Sequence, residues 1–148
     1  MRKTYLSTGK KQVTCILGAS GYVGKTTVTH LSKNASRYSR ILAGSRDPEK
    51  LKQSFGGAEF PGVEFIKADM AAPEDELATA LKDVDTVFIV TPGPTEERGK
   101  IALNAARACK KANVPFTVVV SVTIADKSDT IFGKQFGPLE EGFWELGI

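Results

Sequence analysis

The stretch Val13-Thr14-Cys15-Ile16-Leu17-Gly18-Ala19-Ser20-Gly21-Tyr22-Val23-Gly24 decides how the chain folds. Its first five residues are an apolar run that predicts a buried strand, and Tyr22 to Ser32 predicts a helix. Gly18, Gly21 and Gly24 recur every third position across the junction. A strand feeding a glycine-rich turn that feeds a helix is the arrangement that binds a diphosphate. Gly18 permits the tight turn, Gly21 lets the backbone approach the phosphates, and Gly24 lets the helix pack close to the strand. The N–H groups of the first helical turn then point at the anion, aided by the helix dipole.

Outward from this elbow, further strand-like runs fall at Arg40–Ala43, Val63–Lys67, Thr86–Val90 and Phe116–Ser121. Helical segments separate them at Pro48–Gln53, Pro73–Leu81 and Thr95–Asn113. The strands are continuously apolar and rich in Val and Ile, as expected when helices cover both faces. Alternating strands and helices predict an α/β fold, a doubly wound parallel sheet of about five strands in the order 3-2-1-4-5. Asp47-Pro48-Glu49 supplies an N-cap, a first-turn proline and an acid at the positive helix end, and Ala72-Pro73-Glu74-Asp75-Glu76 starts a helix in the same way. After Gly137-Pro138, residues Leu139 to Leu146 predict a last helix stopped by Gly147, with Ile148 as the first residue of a further strand. The expectation is a basic tail over residues 1–12 and one domain over 13–148 whose C-terminal part is truncated.

The chain has 148 residues, 41% hydrophobic and 25% charged, which suits a single globular domain. No apolar run approaches the roughly 20 residues that span a bilayer, and with no apolar core in the first twelve residues a secretory signal is not expected. A cytoplasmic protein with no membrane partner is expected. The tail cations Arg2, Lys3, Lys10 and Lys11 outnumber the net charge of +3, so the folded part carries no basic excess and nucleic acid is set aside. Two cysteines and one histidine make neither a disulfide framework nor a metal site, and no metal is expected.

In a dinucleotide fold an acid about twenty residues past the glycines holds the adenosine ribose. Here no Asp or Glu occurs from Lys25 to Arg46, and the second strand delivers Gly44-Ser45-Arg46 instead. A hydroxyl and a guanidinium at that tip suit a 2′-phosphate, because arginine presents paired planar donors. The alternative is a loop arginine paired with Asp47 or Glu49. Ala19 to Thr26 also satisfies a loose phosphate-loop pattern, in which Lys25 and Thr26 would serve a nucleotide hydrolase. That lesser reading lacks an acid at the end of an apolar strand to hold magnesium.

Gly18-Ala19-Ser20-Gly21-Tyr22-Val23-Gly24 followed by Ala43-Gly44-Ser45-Arg46-Asp47-Pro48-Glu49-Lys50-Leu51 resembles the atypical short-chain dehydrogenases, specifically the NmrA-like group. Ile66-Lys67-Ala68-Asp69-Met70 and Ala80-Leu81-Lys82-Asp83-Val84-Asp85-Thr86-Val87-Phe88 look like its next two landmarks, so the similarity runs over residues 13–148. The resemblance implies a Rossmann domain that binds NADP(H) in preference to NAD(H). By it Gly18, Ser20, Gly21, Tyr22, Val23 and Gly24 hold the diphosphate, and Ser45 and Arg46 the 2′-phosphate. Asp69 and Met70 would face the adenine, and Thr91 and Pro92 the nicotinamide end.

One departure matters. No tyrosine has a lysine four positions later, so the Tyr-x-x-x-Lys pair of ordinary short-chain dehydrogenases is absent. Lys134 lies in the corresponding region with Thr130 in the tyrosine's place; a solvated lysine is preferred to a catalytic one. The leading expectation is a reductase that passes hydride to a quinone-like or carbonyl acceptor. Its rival is a non-catalytic redox sensor that signals cofactor state to a protein partner.

Overall fold

The computed structural model describes residues 10–56, 60–93 and 96–148. Five strands, β1 (Gln12–Leu17), β2 (Tyr38–Ser45), β3 (Val63–Lys67), β4 (Thr86–Ile89) and β5 (Phe116–Val119), form one sheet in the order β3-β2-β1-β4-β5. Every pairing is parallel, which obliges each connection to cross over the sheet. The crossings carry α1 (Tyr22–Ser32), α2 (Pro48–Ser54), α3 (Glu74–Ala80) and α4 (Arg98–Lys111), and α5 (Ile131–Leu146) follows β5. This is the doubly wound sheet that the sequence predicts.

Strand alternation divides the core in two. On β1, Ile16 packs with Val28 of α1, Ile41 and Ala43 of β2 and Leu51 of α2. Its neighbours Cys15 and Leu17 point to the other face, among Leu77 of α3, Ala105 and Ala106 of α4 and Leu139 of α5. Both thiols are fully buried: burial and the neighbouring Cys109 push the Cys15 thiol up, and burial pushes Cys109 up to about 11. They are inert core residues. On the outer rim, Arg40 of β2 makes a paired hydrogen bond to Glu64 of β3, at 2.7 and 2.6 Å.

Element boundaries depart from expectation where neighbours outweigh local preference. β2 runs from Tyr38 to Ser45, longer than Arg40–Ala43, because β1 and β3 bond it on both sides and carry Gly44 and Ser45 into the ladder. β4 and β5 end earlier than expected, although Val90 N–H still donates to Leu17 and Val120 N–H to Ile89. α4 starts at Arg98; the expected start at Thr95, like most of the basic tail, lies outside the described residues.

The last helix is the main correction. It begins at Ile131, not Leu139, and continues through Gly137 and Pro138 to Leu146. Thr130 caps it, its hydroxyl accepting from Gly133 N–H at 2.9 Å. Proline removes the N–H that would serve the Lys134 carbonyl, a cost normally enough to break a helix. Here Phe136, Leu139 and Phe143 are all buried on one face, and that apolar stripe carries the helix across the break. Gly147 ends it in the left-handed conformation at φ 68°.

The junction of β1 and α1 tolerates no side chain at Gly24. A Cβ there would stand 2.2 Å from the Gly18 carbonyl oxygen and 2.8 Å from the Ala19 Cα, both fixed backbone atoms. Gly24→Ala is therefore expected to destabilise the fold by about 1–3 kcal/mol through overpacking, read as a lower urea midpoint at unchanged slope.

Candidate functional site

A crevice of about 520 Å³ opens at the carboxyl ends of the strands, where β1 and β4 lie side by side and the chain's connections diverge. Open α/β sheets bind ligands at such a switch point. A larger cavity of about 740 Å³ lies at the opposite end, lined by Lys10, Lys82, Asp83 and Asn113 among others. Its position ahead of the strands, and its mixed charges, set it apart from the crevice.

The elbow after β1 forms one wall. Gly18 adopts φ +79°, and a Cβ on it would stand 2.4 Å from the Val90 carbonyl oxygen, so both conformation and space require glycine. Gly21 is the N-cap of α1 and has no side chain to bond the helix's leading N–H groups, nor does the first turn hold an acid. Helices α2 and α5 are capped by their own side chains, Asp47 accepting from Lys50 N–H at 2.9 Å and Thr130 from Gly133 N–H at 2.9 Å. The N–H groups of Tyr22, Val23 and Gly24 thus lack a side-chain acceptor. α3 and α4 also begin without a side-chain cap, so what suits the start of α1 to an anion is its glycine opening beside the crevice. A Cβ on Gly21 would meet only the Gly18 carbonyl oxygen, at 3.7 Å; its space opens toward the site.

The tip of β2 forms the next wall, with Ser45 half-buried and Arg46 exposed beside the crevice. Asp47 caps α2 and sends its own N–H to the Ser45 hydroxyl at 3.1 Å. Neither Asp47 nor Glu49 pairs with Arg46, which has no ionic partner among the described residues. The pairing of Arg46 with Asp47 or Glu49 is not formed in this structure. A free guanidinium stands beside an uncapped helix start.

Asp69 and Met70 follow β3 onto a third wall. Asp69 Oδ1 accepts from Ala71 N–H at 2.9 Å, so half of its carboxylate shapes the turn and Oδ2 faces no other partner among the described residues. Thr91 and Pro92 leave β4 on the far side of the elbow, half-buried. Sequence reasoning missed Ala68, Ala71, Val90, Gly93 and Ile101, which also line the crevice. Ala68 and Val90 extend apolar strands by one residue, a readable signal; Ile101 arrives from mid-chain α4, which no local pattern announces.

Four expected residues do not reach the lining. Tyr22 is 88% exposed and Val23 is also exposed, and neither lines the crevice. Gly24 is buried under the elbow as a packing residue. Lys134 is exposed on the first turn of α5 and lines neither cavity. The phosphate-loop pair also points elsewhere. Lys25 Nζ donates to the Ser54 carbonyl at 3.1 Å and lies over Phe55, while the Thr26 hydroxyl donates back to the Tyr22 carbonyl. Among the described residues no group of three or more His, Cys, Asp or Glu could hold a metal ion, and no helix is long and apolar enough to cross a membrane.

A family model described as NAD(P)H-binding matches residues 18–144. An uncharacterised chloroplastic protein of Arabidopsis thaliana is 32% identical over 117 residues, covering 72% of this chain and 39% of that protein. An NmrA-like family domain-containing protein of Dictyostelium discoideum is 28% identical over 109 residues, covering 72% of this chain and 35% of its own length. Among solved structures, the NADPH-dependent quinone oxidoreductase of Escherichia coli, complexed with NADPH, superposes with a TM-score of 0.73 at 25% identity. That match covers 91% of this chain and 46% of the oxidoreductase. The chain thus spans less than half the length of each of these proteins.

Gly21→Ala separates binding from folding, because its Cβ enters open space at the crevice and not the core. The expected result is a melting temperature within about 2 °C of the unsubstituted protein, a shift worth under 1 kcal/mol, and roughly tenfold weaker dinucleotide binding by calorimetry, about 1.4 kcal/mol.

Proposed function

The chain belongs to the NAD(P)H-binding family, and on that footing we propose that its crevice takes NADP(H) in preference to NAD(H) and serves a reductase. The observation that carries the proposal is the pairing of an uncapped α1 N-terminus with the unpartnered Arg46 at the tip of β2. The first supplies backbone donors and dipole to a diphosphate, and the second a planar fork for a 2′-phosphate. Ser45 stands next to Arg46 and adds a hydroxyl. Asp69 Oδ2 is the acceptor for an exocyclic amine on the adenine, with Met70 as apolar wall. Ser20 flanks the diphosphate, and Thr91 and Pro92 flank the nicotinamide end. Replacing an acid at the β2 tip by a guanidinium also removes the repulsion that an acid would impose on a phosphorylated ribose.

Bound there, the dinucleotide supplies hydride chemistry, and the chain's own residues orient it and exclude water. The acceptor we propose is a quinone-like or carbonyl compound, on the pattern of the NADPH-dependent quinone oxidoreductase that shares the fold. A second reading, a redox sensor acting through a protein partner, draws on the lining itself. Among the described residues, Arg46 and Asp69 are the only titratable side chains in the lining, and in this reading both sit at the adenosine end. Proton delivery to an acceptor at the Thr91 end would then fall to water or to that hydroxyl.

Calorimetric titration with NADPH, NADH and Mg·ATP in parallel tests the cofactor. NADPH is expected to bind most tightly, and Arg46→Asp to weaken it roughly 10- to 100-fold, the worth of one charged hydrogen bond. NADH should lose less than about threefold, because it lacks the phosphate. Equal losses for both nicotinamides remove the 2′-phosphate assignment. NADPH oxidation across a panel of quinones and aldehydes tests the reductase; binding without turnover on any of them supports the sensor.

A further inference from the structure

We infer that Asn104 of α4 is a positioning residue for the adenine-side wall of the crevice, an inference that rests on the dinucleotide reading above. Both N–H bonds of its amide are committed, to the Met70 carbonyl at 2.8 Å and the Ala72 carbonyl at 2.9 Å. Those carbonyls bracket Ala71 in the turn that leaves β3. Asp69, Met70 and Ala71 of that turn line the crevice.

Ala68 and Met70 are buried in the core and hold the turn by packing, and its polar ties among the described residues are few. Ala68 N–H donates to the Ser45 carbonyl at 2.9 Å, tying its entrance to β2. Beyond that, Asp69 bonds only to the turn itself, through Ala71 N–H and Ala72 N–H. Among the described residues the Asn104 amide is the side-chain hydrogen-bonding link from the turn to the body of the domain, beside the packing of Met70. It is half-buried, so water does not freely replace it, and an amide holding two carbonyls at once fixes the orientation of the strip between them.

Two other residues on the same stripe of α4 face α3: Arg107 reaches Glu74 at 3.6 Å, and Lys111 pairs with Glu74 and Asp75. These pairs are exposed and contribute little. They grip the first turn of α3, past the crevice. Asn104 alone on that stripe grips backbone beside the ligand. One turn before it, Ile101 of the same helix lines the crevice, so α4 supplies a wall and fastens the opposite one. Loss of the amide frees Asp69 to move away from the adenine while leaving α4 packed by its buried alanines.

The test uses Asn104→Leu, which keeps the shape and removes both donors, with Asn104→Ala as a second variant and Arg107→Ala as control. Each is titrated with adenosine 2′,5′-bisphosphate and NADPH at a temperature where near-ultraviolet circular dichroism shows it fully folded. Amide hydrogen exchange at Ala71 and Ala72 is followed without ligand. We expect both Asn104 variants to bind the bisphosphate roughly tenfold more weakly, with faster exchange at Ala71 and Ala72, and Arg107→Ala to stay within about twofold. Unchanged affinity in folded Asn104 variants, even with a lower melting temperature, overturns the inference and leaves a purely structural bond. An equal loss in Arg107→Ala overturns it too. Failure of the unsubstituted chain to bind either ligand overturns the function proposed above, and the role of Asn104 falls with it.

Discussion

The whole arrangement depends on a backbone contact, the first turn of α1 pressed onto the end of β1. Gly24 lies so close to the Gly18 carbonyl that no Cβ fits between them. That closeness brings the leading N–H groups of α1 to the rim of the sheet and not several ångströms above it. Gly18 turns the chain at positive φ beneath the Val90 carbonyl, so β4 shares the same joint. The dinucleotide wall and the sheet core are therefore one packed unit. Anything that loosens the joint also moves the donors.

Capping shows how the chain distributes its polar groups. α2 and α5 close their own N-termini with Asp47 and Thr130, and those ends are complete without a ligand. α1 opens on a glycine and leaves its donors to whatever enters the crevice. Arg40 and Lys25 are bound to partners on the protein, Glu64 and the Ser54 carbonyl, whereas Arg46 is held by none among the described residues. Exposed cations such as Arg37 and Lys50 also lack a side-chain partner among the described residues, so position and not isolation sets Arg46 apart. Unmet donors of both kinds meet at one place.

Much of this was legible in the sequence because it rests on local rules. Glycine spacing, apolar strand runs and the missing acid before Arg46 each have a short-range cause, and they predict the sheet order and the elbow. Asp47-Pro48 announced its own cap. What stayed hidden was long-range. Nothing near Pro138 says that Phe136, Leu139 and Phe143 find enough apolar surface on α4 and the sheet to carry a helix through it, so the residues before Gly137 were not assigned to that helix. The glycine motif points to Tyr22 and Val23 as diphosphate contacts, but it does not say that their side chains are exposed to solvent at the start of α1. Ile101 and Asn104 reach the crevice through tertiary packing of α4, and their neighbours along the chain give no sign of it.

The two cysteines have a practical meaning beyond packing. Cys15 sits in the central strand and Cys109 on the helix across from it, both closed to solvent and both raised away from the thiolate. An electrophilic reagent meets neither while the domain is closed, and meets both once sheet and helix part. The protein thus carries its own clock of global opening: the rate of thiol labelling counts excursions of the core. Because one thiol lies directly behind the elbow, ligand that tightens that joint slows the clock.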